Sequence, residues 1–205
     1  MRRLPEKAVH EREVLHAILD AGLVAHVGVV DSSGQPYVVP VGYARDGDRV
    51  LFHGSTASRL FLALAQGAPT CFTVTLLDGL VVARSLFESS MHYRGVMVLG
   101  HCVKLADDEK LAALDAISDH LMPGRRTDAR EPNRKELAAT NVLALSLEEA
   151  SVKVSASPPD DNEEDLDLPI WAGVIPLRES FGEPIDAPDL ALPHDVPAYV
   201  RAWRR

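Results

Sequence analysis

The chain has 205 residues, of which 46% are hydrophobic and 25% charged, a composition typical of a folded globular protein with a sizeable core. Its net charge is −9, and six acidic residues without a basic one lie in the segment DDNEEDLD at 160–167. This acidic balance argues against nucleic acid as a partner, because contacts with phosphates need a basic face.

The amino-terminal part is predicted to form one helix followed by three strands. Apolar residues recur at helical spacing in HEREVLHAILDAG, and Gly22 predicts the end of this helix. The three strand-like segments that follow are LVAHVGVVD, PYVVPVGYA and RVLFHG. Their connections are predicted turns, SSGQ with Gly34 at positive φ and RDGD at 45–48. Pro40 inside the second strand indicates an edge, a bulge or a ligand-facing position.

The central part alternates between helices and strands. STASRLFLALAQG predicts a short helix, and APTCFTVTLLDG with LVVARS predicts a hairpin around Asp78-Gly79. MHYRGVMVLGHCVKL is a long strand. DDEKLAALDAISDHLMPG is a helix that Asp107 or Asp108 would cap. The apolar face predicted for that helix consists of Leu111, Leu114, Ile117 and Leu121. A shorter helix, NRKELAAT, and a last core strand, NVLALSLEE, complete this part.

The composition changes at Ser155, which divides the chain into three predicted parts. Residues 1–154 form the main domain, and residues 155–169 (SASPPDDNEEDLDLP) form a mobile loop rich in acid, proline and serine. Residues 170–205 begin with an apolar stretch around Trp171, so we expect them to pack on the main domain or on a partner subunit.

Locally paired strands dominate the first hundred residues, which favours an antiparallel barrel decorated with helices. A doubly wound parallel fold would require strict alternation of strand and helix, and the sequence lacks it.

Other features exclude several classes of protein. No run approaches the ~20 apolar residues of a membrane span, and the amino terminus has no apolar signal region, so we expect a cytoplasmic protein without a membrane partner. Cys71 and Cys102 are predicted to be two buried free thiols. The histidines have no metal-binding spacing and the serines no nucleophile elbow, so we predict no metal site and assign no catalytic residue.

One segment has the composition of an anion site. An apolar strand ends at His53-Gly54, hydroxyl residues follow, and Arg59 opens a helix. Free amides at a helix amino terminus attract anions, serine hydroxyls donate hydrogen bonds, and arginine binds phosphate in a bidentate manner. The alternative interpretation is ordinary helix capping next to a surface arginine.

Four motifs in order resemble a known family. They are G-x-P-x-V-x-P-V-x-Y from Gly34, V-x-F-H-G-S from Val50, Y-R-x-V-x-V-x-G from Tyr93, and W-A-G-V-I-P-L from Trp171. From about Glu11 to about Pro176 the chain resembles the flavin-binding split barrels related to pyridoxamine 5′-phosphate oxidase, in the branch that includes nitroimidazole-resistance proteins. The resemblance implies a six-stranded antiparallel split β-barrel with flanking helices. It also implies a homodimer that binds FMN at the subunit interface.

The resemblance also implies which residues surround the flavin. Backbone groups of β-strand residues would follow the ring, further residues would hold the ribityl phosphate, and the long strand and the carboxyl-terminal segment would complete the site. The residues are, in that order, Val38, Val39, Pro40, Val41 and Gly42; His53, Gly54, Ser58 and Arg59; Arg94 and Gly95; and Trp171. Where the oxidase has a lysine after the arginine this chain has Leu60, and Gly95 replaces a glutamine or serine.

Three functions are compatible with this resemblance. The first is an FMN-dependent oxidoreductase of small molecules, such as nitro or quinone-like compounds. The second is a non-enzymatic flavin- or haem-binding protein that acts as a carrier or sensor, in which His53, His92 or His101 could be the axial ligand. The third is a reductase that uses the deazaflavin F420 on the same fold.

Overall fold

The computed structural model describes residues 8–9, 12–190 and 195–203. The helices are α1 (Arg12–Ala21), α2 (Arg59–Ala65), α3 (Asp107–Leu121), α4 (Arg134–Ala138) and α5 (Ala198–Arg201). The strands are β1 (Ala8–Val9), β2 (Val24–Val30), β3 (Pro36–Asp46), β4 (Arg49–Ser55), β5 (Pro69–Val82), β6 (Ser90–His101), β7 (Val103–Lys104), β8 (Thr140–Ser146), β9 (Ala150–Ser155) and β10 (Gly173–Pro176).

All strands join one curled antiparallel sheet in the order β1-β9-β6-β5-β2-β3-β4-β8-β7, with β10 added to β5. The predicted class, an antiparallel split barrel with flanking helices, is therefore confirmed. The predicted count of six strands is wrong, because the described part of the chain contains ten. Three of the strands, β1, β7 and β10, are only two to four residues long, too short for an alternating pattern to be visible in the sequence.

The barrel interior holds the main core. Tyr43, Phe52 and Phe72 are fully buried there, and the rings of Tyr43 and Phe72 meet edge to face with centroids 5.2 Å apart. The Tyr43 hydroxyl donates a 2.6 Å hydrogen bond to the Leu19 carbonyl, which attaches α1 to the barrel. A smaller cluster that includes Leu51 and Ile117 joins α3 to the outside of β4. No described helix has the length and hydrophobicity needed to cross a membrane.

Two details of the predicted elements are wrong. Asp78-Gly79 is not a hairpin turn: β5 runs through it without a break, and its register with β6 shifts between Leu77 and Gly79. The chain reverses instead between the end of β5 and the start of β6, at 83–89.

The predicted cap of α3 is also wrong. Ala106 occupies the N-cap and no side chain caps the helix, since Asp107 forms an ion pair with Lys110 at 2.9 Å.

The predicted turns at Gly34 and Gly47 are confirmed, with φ of 86° and 57°. Both cysteines are free, but only Cys102 is fully buried, and its burial raises the thiol pKa to about 12.

Candidate functional site

The predicted phosphate site lies where β4 passes into α2. The Arg59 guanidinium stacks on the ring of Tyr37, 4.4 Å from its centroid, and it forms no ion pair with any described residue. Stacking on an aromatic ring orients the cation without neutralising its charge. Arg59 is thus an exposed positive charge in a fixed position, which suits an anionic ligand.

The residues before Arg59 shape the start of α2. Ser58 occupies the N-cap of α2 with extended backbone, and its side chain makes no capping hydrogen bond. Ser55 accepts a hydrogen bond from the Ala57 amide at 3.1 Å. A Cβ at Gly54 would overlap the ring of Phe61, a buried residue of α2. Glycine at position 54 therefore lets α2 pack directly on β4.

His53 belongs to the same strand but pairs with Val142 on β8. His53 is exposed when the whole residue is considered, but its imidazole is partly shielded from water. This desolvation lowers the pKa of the imidazole from its ordinary value. The lowered pKa favours the neutral imidazole, so His53 is a poor source of positive charge for an anion site.

The proposed ring-binding residues of β3 alternate between the two faces of the sheet. Val38 and Pro40 are exposed, whereas Val41 is buried and Val39 packs against the main core. Only one half of this predicted set therefore offers its side chains to a ligand on the outer surface, and the other half can contribute backbone groups alone.

The same face of the sheet is unusually apolar. Five large apolar side chains on it are each 42–62% exposed: Val24 and Val30 on β2, Val38 on β3, and Met97 and Leu99 on β6. In the sheet β2 lies next to β3, and β5 separates β2 from β6. We call these five residues the outer apolar face.

Arg94 and Gly95 point to opposite faces of β6. The Arg94 guanidinium forms a bidentate ion pair with Asp78 across the β5–β6 hairpin, with distances of 2.8 and 2.7 Å. These bonds lower the pKa of Asp78 and raise that of Arg94. Trp171 lies just before β10, which pairs with the far end of β5, and it is 64% exposed. Arg94 therefore lies on the β5–β6 hairpin and Trp171 precedes the strand that pairs with it, so neither belongs to the element that carries Arg59.

A large cleft, which sequence reasoning missed, opens between this hairpin and the carboxyl-terminal segment. Its volume is about 960 Å³, and we call it the C-terminal cleft. Its walls come from the end of α1, the β5–β6 hairpin, the end of α3, and the segment that includes α5. The aromatic residues in its lining are Phe181, Tyr199 and Trp203. They are scattered singly through a Pro-rich tail, so no periodic pattern in the sequence marked them.

His120 connects the walls of the cleft. Its Nε2 lies 2.6 Å from the carbonyl of Gly22, and this contact links the end of α3 to the segment between α1 and β2. The His120 ring packs beside Tyr43. Among the described residues no group of histidine, cysteine and carboxylate side chains is arranged to hold a metal ion.

Comparison with known proteins identifies the family. A family described as pyridoxamine 5′-phosphate oxidase matches residues 11–154, well over half of the chain. The chain belongs to this family. The match ends before the carboxyl-terminal segment, so the three aromatic residues of the cleft lining, Phe181, Tyr199 and Trp203, lie outside it.

Two solved structures are similar over nearly the whole chain. One is described as the FAD and haem binding protein from Mycobacterium smegmatis, with 45% identity, 96% of each chain covered and a TM-score of 0.92. The other is the flavocytochrome Anf3 from Azotobacter vinelandii, with 41% identity, 100% of this chain and 95% of that chain covered, and a TM-score of 0.93.

A third structure shares the fold alone. It is a 5-nitroimidazole antibiotic resistance protein from Bacteroides thetaiotaomicron, with 22% identity, 72% of this chain and 86% of that chain covered, and a TM-score of 0.60. The comparison with curated proteins returned no match.

Proposed function

We propose that this protein is a flavin-dependent oxidoreductase of small molecules and that its flavin is FAD. The observation that carries the proposal is Arg59, a positioned and unpaired guanidinium at the point where the family would place a flavin phosphate. FAD replaces the FMN expected from the sequence because a relative with 45% identity over nearly its full length is described as FAD-binding.

The residues present fit a flavin phosphate. The Ser58 hydroxyl, which caps nothing, and the Arg59 guanidinium can both donate hydrogen bonds to phosphate oxygens. A bound flavin supplies the electron transfer, and the protein supplies position and electrostatic environment. No observation favours F420, so we do not propose it.

The proposal is tested with Arg59→Ala and a titration with FAD. Loss of one charge-assisted contact at an exposed site should weaken FAD binding by about tenfold or more. Arg134→Ala is the matched control, since Arg134 is an exposed arginine on α4 without an ion pair among the described residues. Equal FAD affinity in the two variants would contradict the phosphate role of Arg59.

We also propose that the protein is a homodimer with the flavin between the subunits. Monomeric proteins rarely expose a contiguous set of large apolar residues on one sheet face. The outer apolar face includes Val38 on β3, the residue that follows Tyr37, on whose ring Arg59 stacks. A second copy of the chain packed on this face would cover it and would also enclose a flavin bound along β3.

Haem is a second candidate cofactor, and one geometric observation favours it. His101 Nδ1 lies 2.8 Å from the Gly67 carbonyl, which fixes Nδ1 as the donor and leaves the Nε2 lone pair available. By contrast, Nε2 of His92 already contacts the Ser157 carbonyl at 2.7 Å. His101 is therefore a better candidate iron ligand than His92.

The haem proposal predicts a loss of haem in His101→Ala. We expect reconstitution of the wild type with haemin to give a Soret band. His101→Ala should lose this band or shift it, while FAD binding stays unchanged. His92→Ala is the control and should retain the band. A Soret band that is identical in all three proteins would exclude His101 as the ligand.

A further inference from the structure

We infer that the C-terminal cleft binds a planar aromatic molecule that carries one acidic group, and that this molecule is the reaction partner of the flavin. Only the second claim, that the bound molecule reacts with the flavin, rests on the proposed function. The first claim concerns the cleft alone, which the chain forms with or without a flavin. The family match does not account for it, since part of its lining lies beyond residue 154.

The lining of the cleft suits a flat apolar molecule. Phe181 and Tyr199 flank Trp203, with ring centroids 6.1 and 6.0 Å from it. The hairpin contributes Leu76 and Leu77 to the same cleft. Aromatic rings and aliphatic side chains that enclose about 960 Å³ are typical of sites for ring-shaped ligands.

The charges around the cleft favour a single acidic group on the ligand. Three carboxylates line the cleft. Asp78 is paired with Arg94, and Asp20 is paired with Arg45 at 2.8 and 2.7 Å. The third, Glu179, also has an interaction partner. Arg178 lines the cleft and forms no ion pair with any described residue. One cationic side chain is thus left to receive a carboxylate or a similar group.

The position of the cleft links it to the proposed flavin strand. β3 runs from Tyr37, beneath Arg59, to Gly42, a distance of about 16 Å along the strand. At Gly42 the strand meets Leu121, because a Cβ at Gly42 would lie 2.9 Å from the Leu121 Cδ1 atom. Leu121 is also part of the cleft lining. A flavin whose phosphate is held at Arg59 and whose ring follows β3 would therefore end beside the cleft.

The two tryptophans of the chain allow a direct test. In Trp171→Phe, Trp203 is the only tryptophan, and its fluorescence reports on the cleft. We expect 4-nitrobenzoate to quench this fluorescence and to bind more tightly than 4-nitrobenzamide, which has the same ring without the charge. Absence of quenching by both compounds would overturn the inference.

The role of Arg178 is tested in the same background. Arg178→Gln should weaken 4-nitrobenzoate binding by about 3- to 10-fold and leave 4-nitrobenzamide binding unchanged. The control Arg134→Gln should alter neither. An equal effect of Arg178→Gln on both compounds, or no effect, would overturn the assignment of an acidic ligand.

The final step separates this inference from the proposed function. With FAD added at saturation, quenching by 4-nitrobenzoate should persist. If FAD displaces the compound, the cleft holds part of FAD itself and the inference is overturned. If the compound binds to a protein that takes up no FAD, the proposed function fails and the ligand site stands.

Discussion

At the scale of single residues, two contacts between different elements organise the candidate site: Arg59 stacks on Tyr37, and Arg94 pairs with Asp78. Arg59 and Ser58 could be predicted because hydroxyl residues followed by an arginine at a helix start form a local pattern. Tyr37, which orients Arg59, could not be predicted, because the contact joins residues from different elements. The pairing of Arg94 with Asp78 escaped for the same reason, since it depends on the register of the β5–β6 hairpin.

At the same scale, the packing of Gly54 predicts a large effect of one methyl group. A Cβ in Gly54→Ala would overlap the Phe61 ring, which is 5% exposed and has little room to move. We expect the free energy of unfolding to fall by about 1–3 kcal/mol, as is usual for an overpacked core. Urea denaturation measures it.

The matched control is Gly28→Ala, another glycine within a strand. Its added Cβ would meet Val38 Cγ2 at 3.6 Å, an ordinary contact. Equal unfolding midpoints for the two variants would show that Phe61 can move aside.

At the scale of elements, strands were predicted better than their irregularities. The turns at Gly34 and Gly47 could be predicted because both need a positive φ. The bulge at Leu77–Gly79 was mistaken for a turn because Asp-Gly is the commonest signal of a hairpin. In α3, Leu111 was assigned to the buried face but is 40% exposed, since Lys110, Ala113 and Ile117 are the residues that face the barrel.

The outer apolar face gives a prediction about assembly. Val38→Asp places a charge on a side chain that is 62% exposed in the single chain, so folding should be preserved. Burial of that charge in a dimer would be costly. We expect the mass measured by sedimentation to fall from twice the chain mass of 22.3 kDa in the wild type to the mass of one chain in Val38→Asp.

Leu111→Asp is the control for this variant. It introduces the same charge at an exposed residue of α3, away from the outer apolar face, and should remain dimeric. A wild-type protein that sediments as one chain with FAD bound would contradict the dimer proposal.

At the scale of the whole molecule, the barrel could be predicted from the sequence and the C-terminal cleft could not. The barrel follows from alternating apolar residues and local turns, which are properties of short segments. The cleft depends on where a tail with little regular structure lies against the end of α3. The contacts that place it join distant parts of the chain, such as the 2.9 Å hydrogen bond from Trp203 Nε1 to the Pro123 carbonyl.

The central claim is that this chain holds a flavin, and the visible spectrum of the purified protein tests it most directly. The protein should be examined as isolated and after addition of FAD followed by removal of unbound nucleotide. We expect the two absorption bands of an oxidised flavin, with one FAD per chain and quenched flavin fluorescence. A protein that remains colourless and retains no FAD after this treatment would contradict the account.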